Sequence, residues 1–284
     1  MNIKKVTVIG SGIMGRQIAL NSAISGFNTI LASRSENSAA AVKAWEEEYL
    51  AGRIAKGRMT PEQVDAIKGR FSVVSSYEQA LTDPDLIIEA IPEQEALKRD
   101  LFCMIEKLAP AKAIVATNSS YMVSSKFADC FADPSRLCNL HYYNPALVMK
   151  FVEVVKGPHT SYETIETVRG FAVACGKLPS VMYKEISGFI ANYILSGIGE
   201  RAWYLVDNGY CDWQDVDNAC ENGLGHKMGP FRLKDLTGID LSYDIMKESY
   251  DKTGVKPAGF DTIKDLYDKG RYGRKNGHGF YDYE

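Results

Sequence analysis

The segment Gly10-Ser11-Gly12-Ile13-Met14-Gly15 limits what this chain can fold into more than any other stretch, because it follows the β-branched run VTVI and opens a helical pattern. A strand that turns on glycines into a helix starts a βαβ unit. The first glycine permits the tight turn, the second lets the backbone approach a pyrophosphate, and the third lets helix and strand pack closely. Phosphates would rest at the helix N-terminus, where unpaired N–H groups and the helix dipole favour negative charge. A plain strand–turn–helix corner also uses glycine. The strand before and the helix after favour a dinucleotide fold, with Gly10, Ser11, Gly12, Ile13, Met14 and Gly15 as its cofactor loop.

The first half of the chain repeats this alternation, which predicts parallel βαβ units. Strands are expected at 5–9, 29–33, 71–74, 85–90 and 113–117, then at 137–143 and 151–155, with a last one near 180–183. A helical hairpin is expected after the second strand, its second helix starting at Thr60-Pro61 as N-cap and N1. After Lys184 the pattern is helix after helix, beginning with the apolar run 189–206. The predicted architecture is α/β: a Rossmann-type doubly wound sheet domain over residues 1–183, then an all-helical C-terminal domain over 184–284, with the active site in the cleft between them.

Several function classes are disfavoured. Net charge is -3 with no long run of one sign, so a nucleic-acid partner is not expected. No apolar stretch approaches bilayer length, and the apolar run in MNIKKVTVIG is too short for a signal core, so no membrane association is expected. The six cysteines are scattered without a C-x-x-C pair, and the four histidines are dispersed. Free thiols in a reducing, cytoplasmic compartment and no metal site are the expectation.

The end of the second strand bears on cofactor choice. An acidic residue about 20 positions past the glycine loop normally holds the ribose 2′-OH of NAD. Here the strand ends at Ser33, followed by Arg34 and Ser35. A carboxylate repels a 2′-phosphate, whereas a hydroxyl and a guanidinium bind one by charge-assisted hydrogen bonds. Ser33 and Arg34 therefore predict that NADP(H) is favoured over NAD(H). A Ser33 that tolerates both cofactors, with Arg34 facing solvent, is the competing reading.

His141-Tyr142-Tyr143-Asn144-Pro145 and Glu153 lie on two predicted strands joined by a short proline-containing connection, which can return Glu153 alongside His141. Hydride transfer from a secondary alcohol needs a base for the hydroxyl proton. Histidine suits this because its ordinary pKa is about 6.5, and a carboxylate partner fixes the tautomer and stabilises the imidazolium.

Seven segments in order now form a pattern: VIGSGIMG, LIIEAIPE, TNSS, HYYNPALVMKFVEVVKG, GFIANYIL, VDNACENGLGHKMGPFRLKDLTGID and GRKNGHGFYDY. Along nearly its whole length the chain resembles the 3-hydroxyacyl-CoA dehydrogenase family, particularly the short bacterial 3-hydroxybutyryl-CoA dehydrogenases. The resemblance implies that His141 is the general acid/base and Glu153 its orienting partner. It implies that Ser120 and Asn192 hydrogen-bond the reacting oxygen or the thioester carbonyl. Glu93, Lys98, Asn144 and Lys275 would line the nicotinamide half of the cofactor, and Arg53, Lys56 and Arg58 on the hairpin would meet the CoA phosphates. The implied reaction interconverts an (S)-3-hydroxyacyl-CoA and its 3-keto form, and the implied assembly is a homodimer through the helical domain.

The chain departs from the family pattern at four places. Ser33-Arg34 replaces the expected aspartate, and Tyr193 stands where arginine usually follows the asparagine. His226-Lys227 precedes Met228-Gly229-Pro230 where proline is usual, and the tyrosines of HYYNP replace aromatics without a hydroxyl. Two rival functions remain at this stage: a related reductase acting on a carrier-protein thioester or free hydroxy acid, and a non-catalytic dinucleotide-binding protein. Binding alone needs no acid/base pair, which disfavours the second. The 3-hydroxyisobutyrate/6-phosphogluconate group shares the glycine loop but fits HYYNP poorly.

Overall fold

The computed structural model describes residues 2–284. The chain divides into two compact units, one ending at Ile190 and the other spanning Ala191–Glu284.

The first unit opens with β1 (Lys5–Ile9), α1 (Ile13–Ile24) and β2 (Asn28–Ala32). The hairpin α2 (Glu36–Ala55) and α3 (Pro61–Lys68) follows, then β3 (Phe71–Val74) and the single turn α4 (Tyr77–Ala80). Next come β4 (Leu86–Glu89), α5 (Glu95–Leu108), β5 (Ile114–Thr117) and β6 (Leu137–Tyr142). The unit's last elements are β7 (Phe151–Val155), α6 (Tyr162–Ala174) and β8 (Leu178–Met182).

These strands form one sheet in the order β3-β2-β1-β4-β5-β6-β7-β8. Its pairs are parallel except β6–β7, which is antiparallel. The order reverses between β1 and β4, and ligands of open α/β sheets bind at such a switch point, beyond the carboxyl ends of the strands. Helices cover both faces, so β4 and β5 are buried along their whole lengths. Alternate residues feed the two cores. Val6, Val8, Leu86 and Ile88 pack with Ile18 and Leu20 of α1 on one face, while Ile9, Ile87 and Val115 pack with Phe102 and Ile105 of α5 on the other.

Local signals set the starts of α2, α3, α4 and α6, whose N-cap serine or threonine accepts a first-turn N–H. Thr60 and Gln63 form a reciprocal capping box with Pro61 in the first turn of α3. Two element starts differ from expectation by more than one residue. β8 starts at Leu178 and includes Pro179, two positions before the expected start. It is an edge strand, where proline's missing N–H costs no ladder bond on the open side. The apolar helix begins at Ala191, not at residue 189. Phe189 is buried with φ 51°, a left-handed conformation that stops helix propagation backwards, and it packs in the first unit.

The second unit contains α7 (Ala191–Asp207), α8 (Trp213–Asn218), α9 (Pro230–Thr237), α10 (Ile239–Thr253) and α11 (Phe260–Asp268). Trp203, Phe231, Ile263 and Phe280 are central to its core. Two buried aspartates tie its segments together. Asp217 accepts from the Phe231 and Arg232 N–H groups and the Tyr281 hydroxyl, and Asp235 accepts from the Phe280 and Tyr281 N–H groups and the Tyr283 hydroxyl. Among the described residues no helix is long and apolar enough to cross a membrane.

Candidate active site

β1 ends at the glycine loop, and Gly10 takes φ 118°, open to glycine and strained for other residues. A Cβ on Gly15 would lie 1.8 Å from the Gly10 carbonyl oxygen, so helix and loop meet at a distance only glycine allows. A Cβ on Gly12 would meet nothing within 4 Å. Gly12 is also the N-cap of α1 and supplies no side-chain cap. The first-turn N–H groups therefore lack a side-chain partner at the mouth of a cavity of about 500 Å³, which the loop shares with Arg34, Ser38 and Tyr77. Open space over a glycine, an uncapped helix start and a lone cation fit the phosphates of a dinucleotide.

Ser33 is fully buried; its hydroxyl donates to the Ser35 carbonyl (3.3 Å) and lies 3.1 Å from the Ser11 hydroxyl, from which it can accept. Among the described residues, Arg34 is the only charged one lining this cavity. The nearby Glu36 carboxylate is taken up by the Ser75 hydroxyl.

A second cavity of about 290 Å³ shares Met14, Ala90 and Ile91 with the first and is further lined by Glu93, Lys98, Asn118 and Ser120. Lys98 and Glu89 are an ion pair almost wholly removed from solvent, Nζ–Oε1 2.6 Å. Glu89 also accepts from the Thr117 hydroxyl (2.5 Å) and the Ile91 N–H (2.7 Å). Lys98 reaches Glu93 at 3.3 Å on the cavity side. Burial pushes the Glu93 carboxyl up, but the Ser119 hydroxyl, the Lys98 ammonium and the Tyr121 N–H outweigh it and hold the carboxyl below its ordinary value.

Antiparallel pairing places His141 of β6 directly opposite Glu153 of β7, and opposed side chains on one face of a ladder touch. His141 Nδ1 lies 2.8 Å from Glu153 Oε2, with the two side chains 4% and 0% exposed. A carboxylate only accepts, so Nδ1 carries the proton and Nε2 of the neutral ring is bare. Nε2 lies 3.1 Å from the Ser120 hydroxyl, which donates to it. Glu153 Oε1 accepts the Ile190 N–H at 2.8 Å, and the Tyr143 hydroxyl donates to Oε2 at 2.7 Å. Phe189 and Tyr143 rings flank the imidazole.

The sequence-derived site residues thus fall into groups. His141, Glu153 and Ser120 are hydrogen-bonded together, and Glu93 and Lys98 share a cavity with Ser120. Gly10, Ser11, Gly12, Ile13, Met14 and Arg34 share the other cavity, with Ser33 behind it. Asn144 is exposed on the β6–β7 connection and precedes the cis peptide to Pro145. Arg53 is in the last turn of α2, with Lys56 and Arg58 exposed just beyond. In the second unit, Asn192 is in the first turn of α7, and Lys275 pairs with Asp240. Asn118, Ser38 and Tyr77 escaped the sequence reading. Asn118 lies in the TNSS segment, and its side-chain oxygen accepts the Tyr142 N–H at 2.8 Å.

Two family models match in succession: the NAD binding domain of 3-hydroxyacyl-CoA dehydrogenase over residues 5–186 and its C-terminal domain over residues 188–283. A probable 3-hydroxybutyryl-CoA dehydrogenase of Bacillus subtilis is 33% identical over 285 residues, covering 100% of this chain and 99% of that protein. Among solved structures, the (S)-3-hydroxybutyryl-CoA dehydrogenase of Ralstonia eutropha superposes with a TM-score of 0.87 at 28% identity, covering 100% of both chains. A diketoreductase acting on dicarbonyl compounds superposes with a TM-score of 0.89 at 31% identity, again over 100% of both. Two adjoining domain models and a full-length relative agree with the glycine loop and the histidine–glutamate pair, and the chain belongs to the 3-hydroxyacyl-CoA dehydrogenase family.

Proposed function

We propose that this protein interconverts a short-chain (S)-3-hydroxyacyl-CoA and the corresponding 3-ketoacyl-CoA. The observation that carries the proposal is the buried imidazole held between Glu153 and the Ser120 hydroxyl. A bound nicotinamide supplies the hydride acceptor or donor. His141 Nε2 takes the 3-hydroxyl proton during oxidation and returns it to the oxygen during reduction. Glu153 stabilises the imidazolium formed, and Ser120 donates a hydrogen bond to the substrate oxygen once substrate takes up Nε2.

Glu93, Lys98 and Asn144 are proposed to bound the nicotinamide end of the cofactor site. The roles of Asn192 and Lys275, and of Arg53, Lys56 and Arg58 toward CoA phosphates, rest on the family resemblance alone. Residues 1–183 are proposed as the dinucleotide-binding domain and 184–284 as the substrate and dimerisation domain. A homodimer is supported by the exposed Tyr193, Ile194, Leu195, Tyr204 and Leu205 on α7. Cytoplasmic residence is proposed, with the scattered cysteines, which fit free thiols, as its support. NADP(H) preference is supported by Arg34, the only charged residue among the described residues lining a cavity that they line with no carboxylate.

The test is cofactor oxidation by purified protein with acetoacetyl-CoA, acetoacetyl carrier protein and free acetoacetate, each with NADPH and NADH. Turnover is expected with the CoA thioester and is expected to fall roughly 10²–10⁴-fold in His141→Asn. Activity on the free acid alone, or full activity in His141→Asn, overturns the reading. The likeness to the diketoreductase favours a second reading, reduction of a dicarbonyl compound without CoA, which the same substrate panel separates.

A further inference from the structure

Tyr143, the second tyrosine of HYYNP, has a hydroxyl that the proposed chemistry does not use. Tyr143 donates it to Glu153 Oε2 at 2.7 Å, the same oxygen that accepts His141 Nδ1 at 2.8 Å. The other oxygen, Oε1, is engaged by the Ile190 N–H. The carboxylate is fully buried, so these bonds act where water screens little. The Tyr143 ring meets the imidazole edge-on with centroids 4.5 Å apart, and packs on Phe151 across the hairpin. The hydroxyl is therefore held in place by its ring and cannot swing away from the carboxylate without repacking.

We infer that Tyr143 is a positioning and tuning residue for the His141–Glu153 pair, making the imidazole a base at lower pH than a phenylalanine at this position would allow. The inference rests on the reading of His141 as the acid/base. A carboxylate oxygen that accepts two hydrogen bonds has its charge shared between two donors. It then stabilises an imidazolium less than one that accepts from the imidazole alone. The proton leaves His141 more readily as a result, and the active, unprotonated base persists further into acid. The bond also resists loss of the phenolic proton: burial first, then the bond to Glu153 and its charge, push the Tyr143 hydroxyl well above its ordinary value. Tyr143 therefore remains a donor across the working range.

The other groups facing the pair leave this assignment clear. Tyr121 is near Tyr143 from the loop after β5. Glu93 and Lys98 border the Ser120 cavity but are paired with each other, and Lys98 also with Glu89. Phe189 and Ile190 carry no side-chain charge.

The test is Tyr143→Phe, read by the pH profile of kcat/KM for alcohol oxidation and by NMR titration of labelled histidine. The acidic limb and the His141 titration are expected to move upward by roughly half a unit to one unit, since each unit is about 1.36 kcal/mol and only part of one charge-assisted bond is at stake. The NMR arm reads the imidazole even if turnover is lost. An unmoved or downward-shifted titration in a folded Tyr143→Phe overturns the inference. His141→Asn keeps the two failures apart: if it retains activity and its pH limb, the acid/base reading falls; if it abolishes both while Tyr143→Phe moves nothing, only the tuning role falls.

Discussion

The Ser33 hydroxyl at the end of β2 is hydrogen-bonded to the Ser11 hydroxyl of the glycine loop across 3.1 Å. That contact joins the position which usually selects the ribose to the turn proposed to hold the phosphates. In Ser33→Asp a carboxylate would stand there instead, beside the place where a 2′-phosphate would sit. Like charges in a partly dry cavity repel, and a ribose hydroxyl would gain an acceptor. The ratio of kcat/KM for NADPH over NADH should fall by about 10-fold or more in this variant, about 1.4 kcal/mol of discrimination. A ratio that does not move would show that Ser33 takes no part in cofactor choice.

Glycines of one loop should fail in different ways. Gly15→Ala places a methyl 1.8 Å from a backbone oxygen, which neither side can relieve cheaply, so a lower Tm is expected. Gly12→Ala has open space and a negative φ, so its Tm should be unchanged. Its methyl would occupy the space over the helix start, and the Kd for cofactor should rise. Thermal melting with and without cofactor separates the two cases. A destabilised apo Gly12→Ala with unchanged cofactor affinity would reverse this assignment.

Much of this molecule is legible in its sequence because the features are local. The β-branched runs, the glycine turn and Thr60-Pro61 each state their own conformation within a few residues. The His141–Glu153 register is legible too, since a short connection between strands forces antiparallel return. What escaped depends on distant partners. Pro179 reads as a strand breaker until β8 is known to lie at the sheet edge. Phe189 reads as helical until its place against His141 fixes φ at 51°. The Glu93–Lys98 spacing suits a solvated pair on a helix, yet Lys98 is 1% exposed because Glu89, at the end of β4, gives it a second carboxylate. Asn118 bonds to a strand that starts many residues later.

Lys98 therefore carries a stability prediction. Its ammonium compensates a Glu89 carboxylate that is wholly buried. Removing one partner of a buried pair leaves an unpaired charge, at a cost of about 3–5 kcal/mol. Lys98→Met, similar in length and uncharged, should lower stability to denaturant by that order. Lys98→Met with Glu89→Gln should recover a large part of it. If the single variant is as stable as the parent, the ion pair contributes nothing and the network is held by Thr117 and the backbone.

Glu46 offers the opposite case, a buried carboxylate whose removal should help. It lies on the buried face of α2, and its Oε1 has no hydrogen-bond partner among the described residues. Burial pushes its carboxyl up from the ordinary 4.5, and Lys68 only partly offsets this. A carboxyl with a raised folded-state pKa binds its proton more tightly folded than unfolded. The resulting stabilisation is present below the ordinary value and is lost as pH rises through the folded one. At neutral pH the native chain therefore bears the cost of an ionised, poorly solvated Glu46. Glu46→Gln removes that charge while keeping the side chain's shape, so its Tm should exceed the parent's at neutral pH. The advantage should shrink as pH falls toward the ordinary carboxylate value. Melting curves of both proteins across that range provide the measurement, and a Glu46→Gln less stable than the parent at neutral pH would mean that Lys68 holds the ionised carboxylate favourably after all.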